Sequence, residues 1–374
     1  MPFVIKYLIV LFLTATFSFI ITPLVIRLVE KIGAVDKPNA RRINKVVMPS
    51  AGGLAIFFSF TLSVLLFLTY IVGTIKTSKG YLTYFDYVFP LVLSSLIIII
   101  TGLIDDIREL SPKWKMLGIV VAATSIWAFS KFRFDNFKIP FGGPMLNFPP
   151  WLSLILTVIW IISITNAVNI IDGLDGLASG VSLISLFTMG LVSYLFLGNV
   201  NVYLPITIFV LCAAIIGFLP YNFFPAKIYL GDTGALYLGF MISVLSLQGL
   251  KNATAVAVLT PMLILGVPVT DTFAAIIRRK LNNQKVSVAD KMHLHHRLLS
   301  MGLSHKAAVL VIYGIALIFS LISIILNFSG RVGGILLIIA SIFGLELFLE
   351  TVGVWGENRQ PLLKIFTRIG NSKK

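Results

Sequence analysis

Acidic residues are scarce in this chain. Only 15 Asp and Glu stand against 30 Lys and Arg in 374 residues, and charged residues of both signs make up just 12%. Soluble domains carry roughly 25% charged residues, so this composition cannot build a water-facing surface around a large core. Cysteine is nearly missing too: Cys212 stands alone inside an apolar run. That excludes an intrachain disulfide and a Cys-based metal centre, and leaves a packing role. Strict period-2 alternation is lacking, which argues against a transmembrane β-barrel. No small-residue cleavage site follows the apolar stretch from Phe3 to Ile26, which only Lys6 interrupts, so it reads as a retained first span rather than a signal peptide.

What is present is apolar side chain: 57% of residues are hydrophobic, and the mean hydropathy is +0.97. The sequence therefore predicts an all-α integral membrane protein, one polytopic domain over residues 1–374. About 20 apolar residues span the hydrocarbon core. Runs of that kind fall near 4–28, 51–74, 87–104, 115–131, 151–168, 180–198, 202–220, 234–250, 254–277, 306–327 and 332–353, a bundle of about eleven transmembrane helices. The cut within the uncharged stretch from Gly176 to Ala226 is placed at "LGNVN" (197–201), where Gly and Asn favour a turn.

A formal charge of +15 would suggest nucleic acid in a soluble protein. Here it sets topology and faces anionic lipid, and no nucleic-acid partner is expected. The loops at 31–50, 105–114, 169–179, 221–233 and 278–305, with the tail after 354, hold roughly 20 Lys and Arg against about 8 on the other side. The first set is thus expected in the cytoplasm, with the N-terminus outside and the C-terminus cytoplasmic. Most of the few acids fall in or beside the same loops, among them Asp36, Asp105, Asp106, Glu109, Asp172, Asp175, Asp232, Asp271 and Asp290. Carboxylates at membrane depth are costly and tend to mark function.

Five stretches carry chemistry. "DKPNARRINKVVMPSAGG" (36–53) offers Arg41, Arg42 and Lys45 for phosphate, and Gly52-Gly53 for close backbone approach, although a plain topology-setting loop has the same look. "GLIDDIRELSPKWK" (102–115) joins Asp105 and Asp106 at a helix end, with Ser111-Pro112 as a helix start. Adjacent carboxylates repel, which fits a metal site or a general base; alone, the pair is a weak signal. "NAVNIIDGLDGLASG" (166–180) steps Asn166, Asn169 and Asp172 along one helix face before Asp172-Gly and Asp175-Gly break the helix. Such oxygen donors suit a hard cation or a nucleotide, and the terminal glutamate of an EF-hand is missing. In "FFPAKIYLGDTGALYLGF" (223–240), Asp232 lies between glycines at a helix start, where it serves as an N-cap, a metal or phosphate contact, or both. "DKMHLHHRLL" (290–299), preceded by Asp271 and Arg278, gathers His293, His295 and His296 with Lys291 and Arg297. The histidine spacing is poor for zinc chelation on a helix face, so the stretch reads as a cationic cluster.

Together these motifs resemble those of the polyprenyl-phosphate N-acetylhexosamine-1-phosphate transferases, in the family order, from Asp36 to about Ser304. "NAVNIIDGLDGLA", "GDTG" and "HLHH" are specific in combination. "HLHHRL" resembles the branch that uses UDP-N-acetylglucosamine (UDP-GlcNAc). Asn44 departs from the pattern, standing where relatives commonly have histidine.

The resemblance implies a bundle of ten or eleven helices, often a homodimer, in the bacterial cytoplasmic membrane with its active site facing the cytoplasm. It implies transfer of GlcNAc-1-phosphate from UDP-GlcNAc to undecaprenyl phosphate, giving undecaprenyl-diphospho-GlcNAc and UMP, with Mg²⁺ or Mn²⁺. On that footing Asp232, then Asn169, are the expected metal ligands. Asp105 is the expected base, supported by Asp106; both are taken with Asp232 as catalytic. Asp172 and Asp175 are expected to hold the nucleotide. Lys45, His295, His296 and Arg297 are expected on the diphosphate or sugar, with Asn166, Asn169 and His293 also lining the substrate. Direct attack by the lipid phosphate is favoured over a phospho-enzyme, since no carboxylate stands out as a nucleophile. A rival of another class is a secondary anion transporter. Transporters, however, tend to bind near the bilayer midplane, on broken helices, whereas these acids gather at one face.

Overall fold

The computed structural model describes residues 2–36, 47–77, 80–138, 144–197, 202–250, 266, 269–272, 274, 276, 293–354, 360 and 362–364. Among them the chain forms ten long helices and one short one. They are α1 (Phe3–Ile32), α2 (53–71), α3 (Tyr84–Arg108), α4 (Pro112–Phe129), α5 (Pro150–Ile171) and α6 (Leu177–Leu197). Then follow α7 (Tyr203–Asn222), α8 (Gly231–Leu250), the short α9 (Leu294–Ser300), α10 (His305–Phe328) and α11 (Arg331–Val352). Three two-stranded hairpins complete the described structure: β1 (Val35–Asp36) with β2 (Met48–Pro49), β3 (Ile75–Thr77) with β4 (Gly80–Leu82), and β5 (Asn136–Lys138) with β6 (Met145–Asn147).

Eight of the helices are long and apolar enough to cross a membrane. The two other long helices, α4 and α8, begin on polar residues, Lys113 and Lys115 in one and Asp232 in the other. Ten of the eleven expected spans coincide with long helices, with ends shifted by a few residues. The eleventh, 254–277, lies outside the described residues except at 266, 269–272, 274 and 276.

Helix α8 is the innermost element. Ala235, Leu236, Tyr237, Leu238, Phe240, Met241 and Ile242 are fully buried, and α2, α3, α5 and α6 pack around it. At the periphery, α1 and α11 turn apolar side chains outward, such as Phe12 and Leu336. Lipid is the solvent for such faces, so their exposure costs nothing in a bilayer.

Small residues and hydroxyls make the interior contacts, as expected where no hydrophobic force separates protein from lipid. A Cβ on Gly217 of α7 would lie 2.1 Å from the Ala15 carbonyl oxygen of α1, and beside it Ser18 Oγ donates to the Ala214 carbonyl at 2.7 Å. Trp160 of α5 donates its indole N–H to α8, to the Ser243 carbonyl at 3.1 Å and Ser246 Oγ at 3.0 Å. A π-helical turn over Ser63–Leu68 widens α2, where Ser63 Oγ and Thr14 Oγ1 are 2.7 Å apart.

The same connections bring one set of helix ends together. Tyr229 N–H donates to the Pro49 carbonyl, and Gly52 and Gly53 N–H donate to Tyr229 and Leu230 carbonyls. This run of main-chain bonds joins the start of α2 to the start of α8. The end of α3, the start of α4, the end of α5, the 172–176 turn and α9 meet at the same place through the contacts described next.

Candidate active site

The site is built from helix ends. Helix α3 stops after Arg108 because Glu109 adopts a left-handed conformation, φ +50°. Asp105 helps to close that end: its Oδ1 accepts the Leu110 N–H at 2.6 Å. Ser111 and Pro112 then start α4, with proline at the first helical position as the sequence predicts. Glycine permits the next contact. A Cβ on Gly102 of α3 would lie 2.4 Å from Thr233 Cα, and one on Gly53 of α2 would lie 2.1 Å from Gly234 Cα. Three helices thus touch backbone to backbone around the first turn of α8.

That first turn has a cap from outside its own sequence. Asp106 Oδ1 accepts the Asp232 N–H at 3.0 Å and Ser50 Oγ–H at 2.9 Å. Its Oδ2 accepts the Thr233 N–H at 2.9 Å and Thr233 Oγ1–H at 2.6 Å. A carboxylate on a helix N-terminus satisfies orphan donors and complements the helix dipole. The sequence placed Asp106 with the catalytic groups. In the structure both its oxygens hold the first turn of α8, and through it Asp232.

Asp232 is differently placed. Its Oδ1 accepts from Lys115 Nζ at 2.7 Å and from Asn169 Nδ2 at 2.5 Å, while its side chain stays 32% exposed. Lys115 Nζ is also 2.5 Å from Oδ2 of the buried Asp105. One ammonium therefore bridges carboxylates from two helices, and a third helix supplies an amide. Nearby, Asp172 feels the same cluster: burial, then the charges of Asp232, Asp106 and Asp175, raise its carboxyl well above the usual range. More carboxyl groups gather here than Lys115 alone can pair.

Among the described residues, no group of three or more His, Cys, Asp and Glu side chains is arranged to hold a metal ion by itself. The donor set still fits magnesium, which commonly takes one or two carboxylates and completes its shell with water and substrate phosphates. Asp232 and Asp105 would supply the carboxylates, and the side-chain oxygen of Asn169 a neutral donor.

The remaining expected residues divide. Asp175 acts as a staple: its Oδ2 accepts the Ala226 N–H at 3.0 Å, and its own N–H donates to His305 Nε2 at 2.9 Å. His305 stacks on Phe224 with ring centroids 4.8 Å apart. Asn166 spends its amide N–H on its own helix, at the Ile162 carbonyl. Lys45 lies outside the described residues.

The members of the histidine stretch point in different directions. His293 turns inward, with Nδ1 3.0 Å from Asp271 Oδ2, and is buried. Arg297 Nη2 donates to the Gly353 carbonyl at 2.7 Å, anchoring α9 to the end of α11. Burial, then neighbouring His296, push the His295 imidazole down to about 3, so it is neutral at pH 7. His295 Nε2 packs against Gly173, where a Cβ would come within 2.4 Å of it. His296 leans on the His295 ring with centroids 4.2 Å apart. His295 thus packs on the turn that carries Asp172.

Sequence reasoning missed Lys115, Ser50 and Thr233 as members of the site. The available signal was weak: Lys115 is one of two lysines in the first turn of an otherwise apolar helix, and the two hydroxyls look like ordinary loop residues.

Comparison with known proteins bears on what the arrangement does. Residues 88–250, which run from α3 through α8, match Glycosyl transferase family 4. A probable undecaprenyl-phosphate N-acetylglucosaminyl 1-phosphate transferase of Bacillus subtilis is 40% identical over 356 residues, 94% of this chain and 93% of the relative. A decaprenyl-phosphate N-acetylglucosaminephosphotransferase of Mycobacterium tuberculosis is 34% identical over 304 residues, 76% of this chain and 74% of the relative. An undecaprenyl-phosphate alpha-N-acetylglucosaminyl 1-phosphate transferase of Salmonella typhi is 27% identical over 295 residues, 75% and 73% of the two chains. With acids, amide and ammonium gathered at one end of an apolar helical bundle, the chain is an enzyme of glycosyl transferase family 4, and belongs to the polyprenyl-phosphate N-acetylhexosamine-1-phosphate transferases that its motifs resemble.

Proposed function

We propose that this multi-pass membrane enzyme transfers GlcNAc-1-phosphate from UDP-GlcNAc to undecaprenyl phosphate, releasing UMP. The product, undecaprenyl-diphospho-GlcNAc, begins a cell-envelope polysaccharide such as a teichoic acid or an O-antigen. The observation that carries the reading is the Asp105–Lys115–Asp232–Asn169 cluster at helix ends. A lipid phosphate arrives at that depth, and transfer between two anions needs charge neutralisation and alignment more than covalent help. The relatives' names supply the polyprenyl phosphate and the sugar, and the excess of Lys and Arg in the same loops supports a cytoplasmic face.

In the reaction, an oxygen of the lipid phosphate attacks the phosphorus that carries GlcNAc. A new P–O–P bond forms, the bond to UMP breaks, and UMP leaves with the bridging oxygen. Asp105 takes or holds off the proton of the attacking phosphate. Lys115 balances charge between Asp105 and Asp232. Asp172 lies on the nucleotide side, and neutral His295 offers a hydrogen bond there without adding charge. Asp232, Asp105 and Asn169 would hold Mg²⁺ or Mn²⁺, which supplies further charge neutralisation on the phosphates when bound.

Membranes containing the protein, given radiolabelled UDP-GlcNAc and undecaprenyl phosphate, are expected to move label into a butanol extract, and EDTA is expected to stop this. Label that crosses sealed vesicles unchanged, with none in the lipid, would replace the reading with transport. A panel of UDP-sugars decides the donor: a higher kcat/KM for another UDP-N-acetylhexosamine keeps the chemistry but changes the sugar.

A further inference from the structure

Asp271 is among the few acids outside the carboxylate cluster that are almost wholly buried, with 2% of its surface exposed. A buried carboxylate is costly unless its oxygens are used. Here both are. Oδ2 lies 3.0 Å from His293 Nδ1, and Oδ1 accepts the Leu294 N–H at 3.0 Å. The two partners are consecutive residues at the start of α9. His293 is the N-cap of that helix, and its side chain makes no capping bond. Asp271 supplies the cap from elsewhere in the chain, and in the same contact fixes the ring that precedes the helix.

This grip has leverage because α9 is short. Seven residues do not hold a helix in place by their own hydrogen bonds. The position of α9 depends on buried Leu294 and Leu298 and on its polar tethers, among them Asp271 at the start and the Arg297–Gly353 bond further along. Apolar Leu294, Ile315, Leu345, Phe348 and Leu349 line the small crevice at Asp271. Low polarity there strengthens the pairing of carboxylate and imidazole.

From His293 the contact continues toward the site. The His293 and His295 rings are parallel within 2°, with centroids 6.0 Å apart. His295 Nε2 in turn packs on Gly173, next to Asp172. We propose that Asp271 is a positioning residue of the transferase: by fixing His293 and the start of α9, it sets His295 against the Gly173 turn and so shapes the sugar-nucleotide side of the site. This rests on the proposed function, because it takes the Asp172–His295 side to be where the UDP-sugar lies. It assigns His293 a task different from touching substrate.

The test uses the purified full chain with three variants: Asp271→Asn, His293→Phe and the double variant. Asparagine keeps an acceptor for the Leu294 N–H, and phenylalanine keeps a ring beside His295, so both singles are expected to fold, as melting in detergent checks. Each single is expected to raise KM for UDP-GlcNAc about tenfold and to leave KM for undecaprenyl phosphate within about twofold. Calorimetric titration with UDP-GlcNAc is expected to show the same weakening without turnover. The double variant is expected to be no worse than the poorer single, because the two residues act as one unit. Unchanged UDP-GlcNAc affinity in both singles, or a fall in kcat alone, would overturn the inference and leave Asp271 a purely structural residue. Additive effects in the double variant would also overturn it. Wild-type protein that binds no UDP-sugar would overturn the proposed function and this inference together, whereas normal wild-type binding with unaltered variants overturns this inference alone.

Discussion

Asp106 and Thr233 lie 127 positions apart, yet Oδ2 of the aspartate accepts both the backbone N–H and the hydroxyl of the threonine. This pair seats the first turn of α8. Asp106→Ala strips the cap and leaves buried donors unmatched, at a cost on the order of 3 kcal/mol. The variant is expected to melt earlier and to lose most turnover, because Asp232 loses its seat. Thr233→Val is expected to do part of the same, and the two changes together less than their sum. Melting curves and initial rates check this. An Asp106→Ala protein that melts like wild type but is inactive would return Asp106 to direct chemistry.

Lys115 makes a second expectation. Removing one partner of a partly buried ion pair leaves carboxylate charge uncompensated, which is destabilising. Lys115→Met leaves Asp105 and Asp232 facing each other, so it is expected to lower the melting temperature in EDTA. Added Mg²⁺ is expected to restore part of the loss, since under the proposed function a divalent cation would neutralise the same carboxylates. A loss of identical size with and without Mg²⁺ would separate Lys115 from the metal's neighbourhood. Turnover is expected to stay low in both conditions.

His295 sets an acid limit. Its imidazole titrates at about 3 in the folded protein against 6.5 in the unfolded chain. Between those values the unfolded state binds the extra proton. The stability contributed is therefore full above pH 6.5 and is lost as pH falls toward 3. By pH 5 the loss is roughly 2 kcal/mol. His295→Gln cannot titrate, so its melting temperature in EDTA is expected to fall less steeply between pH 7 and pH 5. Parallel curves for the two proteins would remove His295 as the source.

Much of this was legible in the sequence, for a simple reason. In a chain so poor in acid, each carboxylate beside a glycine or asparagine is conspicuous, and long apolar runs mark helices directly. The acids at Asp105, Asp232 and Asp172 do converge. What the sequence does not carry is partner choice across distance. Asp106, Asp175, Asp271 and Glu350 each accept a backbone N–H from a distant segment. Residue type alone cannot tell such a cap from a ligand, since both uses want an ionised oxygen. Direction is hidden in the same way. His293 and Arg297 flank His295 and His296, but α9 is short and its turns send them inward and toward Gly353. The step of Asn166, Asn169 and Asp172 along the end of one helix was legible, and α5 does run to Ile171; that Asn169 meets Asp232 was not.

The glycine contacts beneath the site also bear on life in a bilayer. Membranes vary in thickness, and helices answer by tilting. Peripheral α1 and α11, which face lipid along much of their length, have room to do so. At Gly53–Gly234 and Gly102–Thr233, by contrast, no side chain stands between backbones to slide or compress. Backbones in direct contact there leave little room for the α3 acids to move relative to Asp232 when outer helices tilt to match a thicker or thinner membrane.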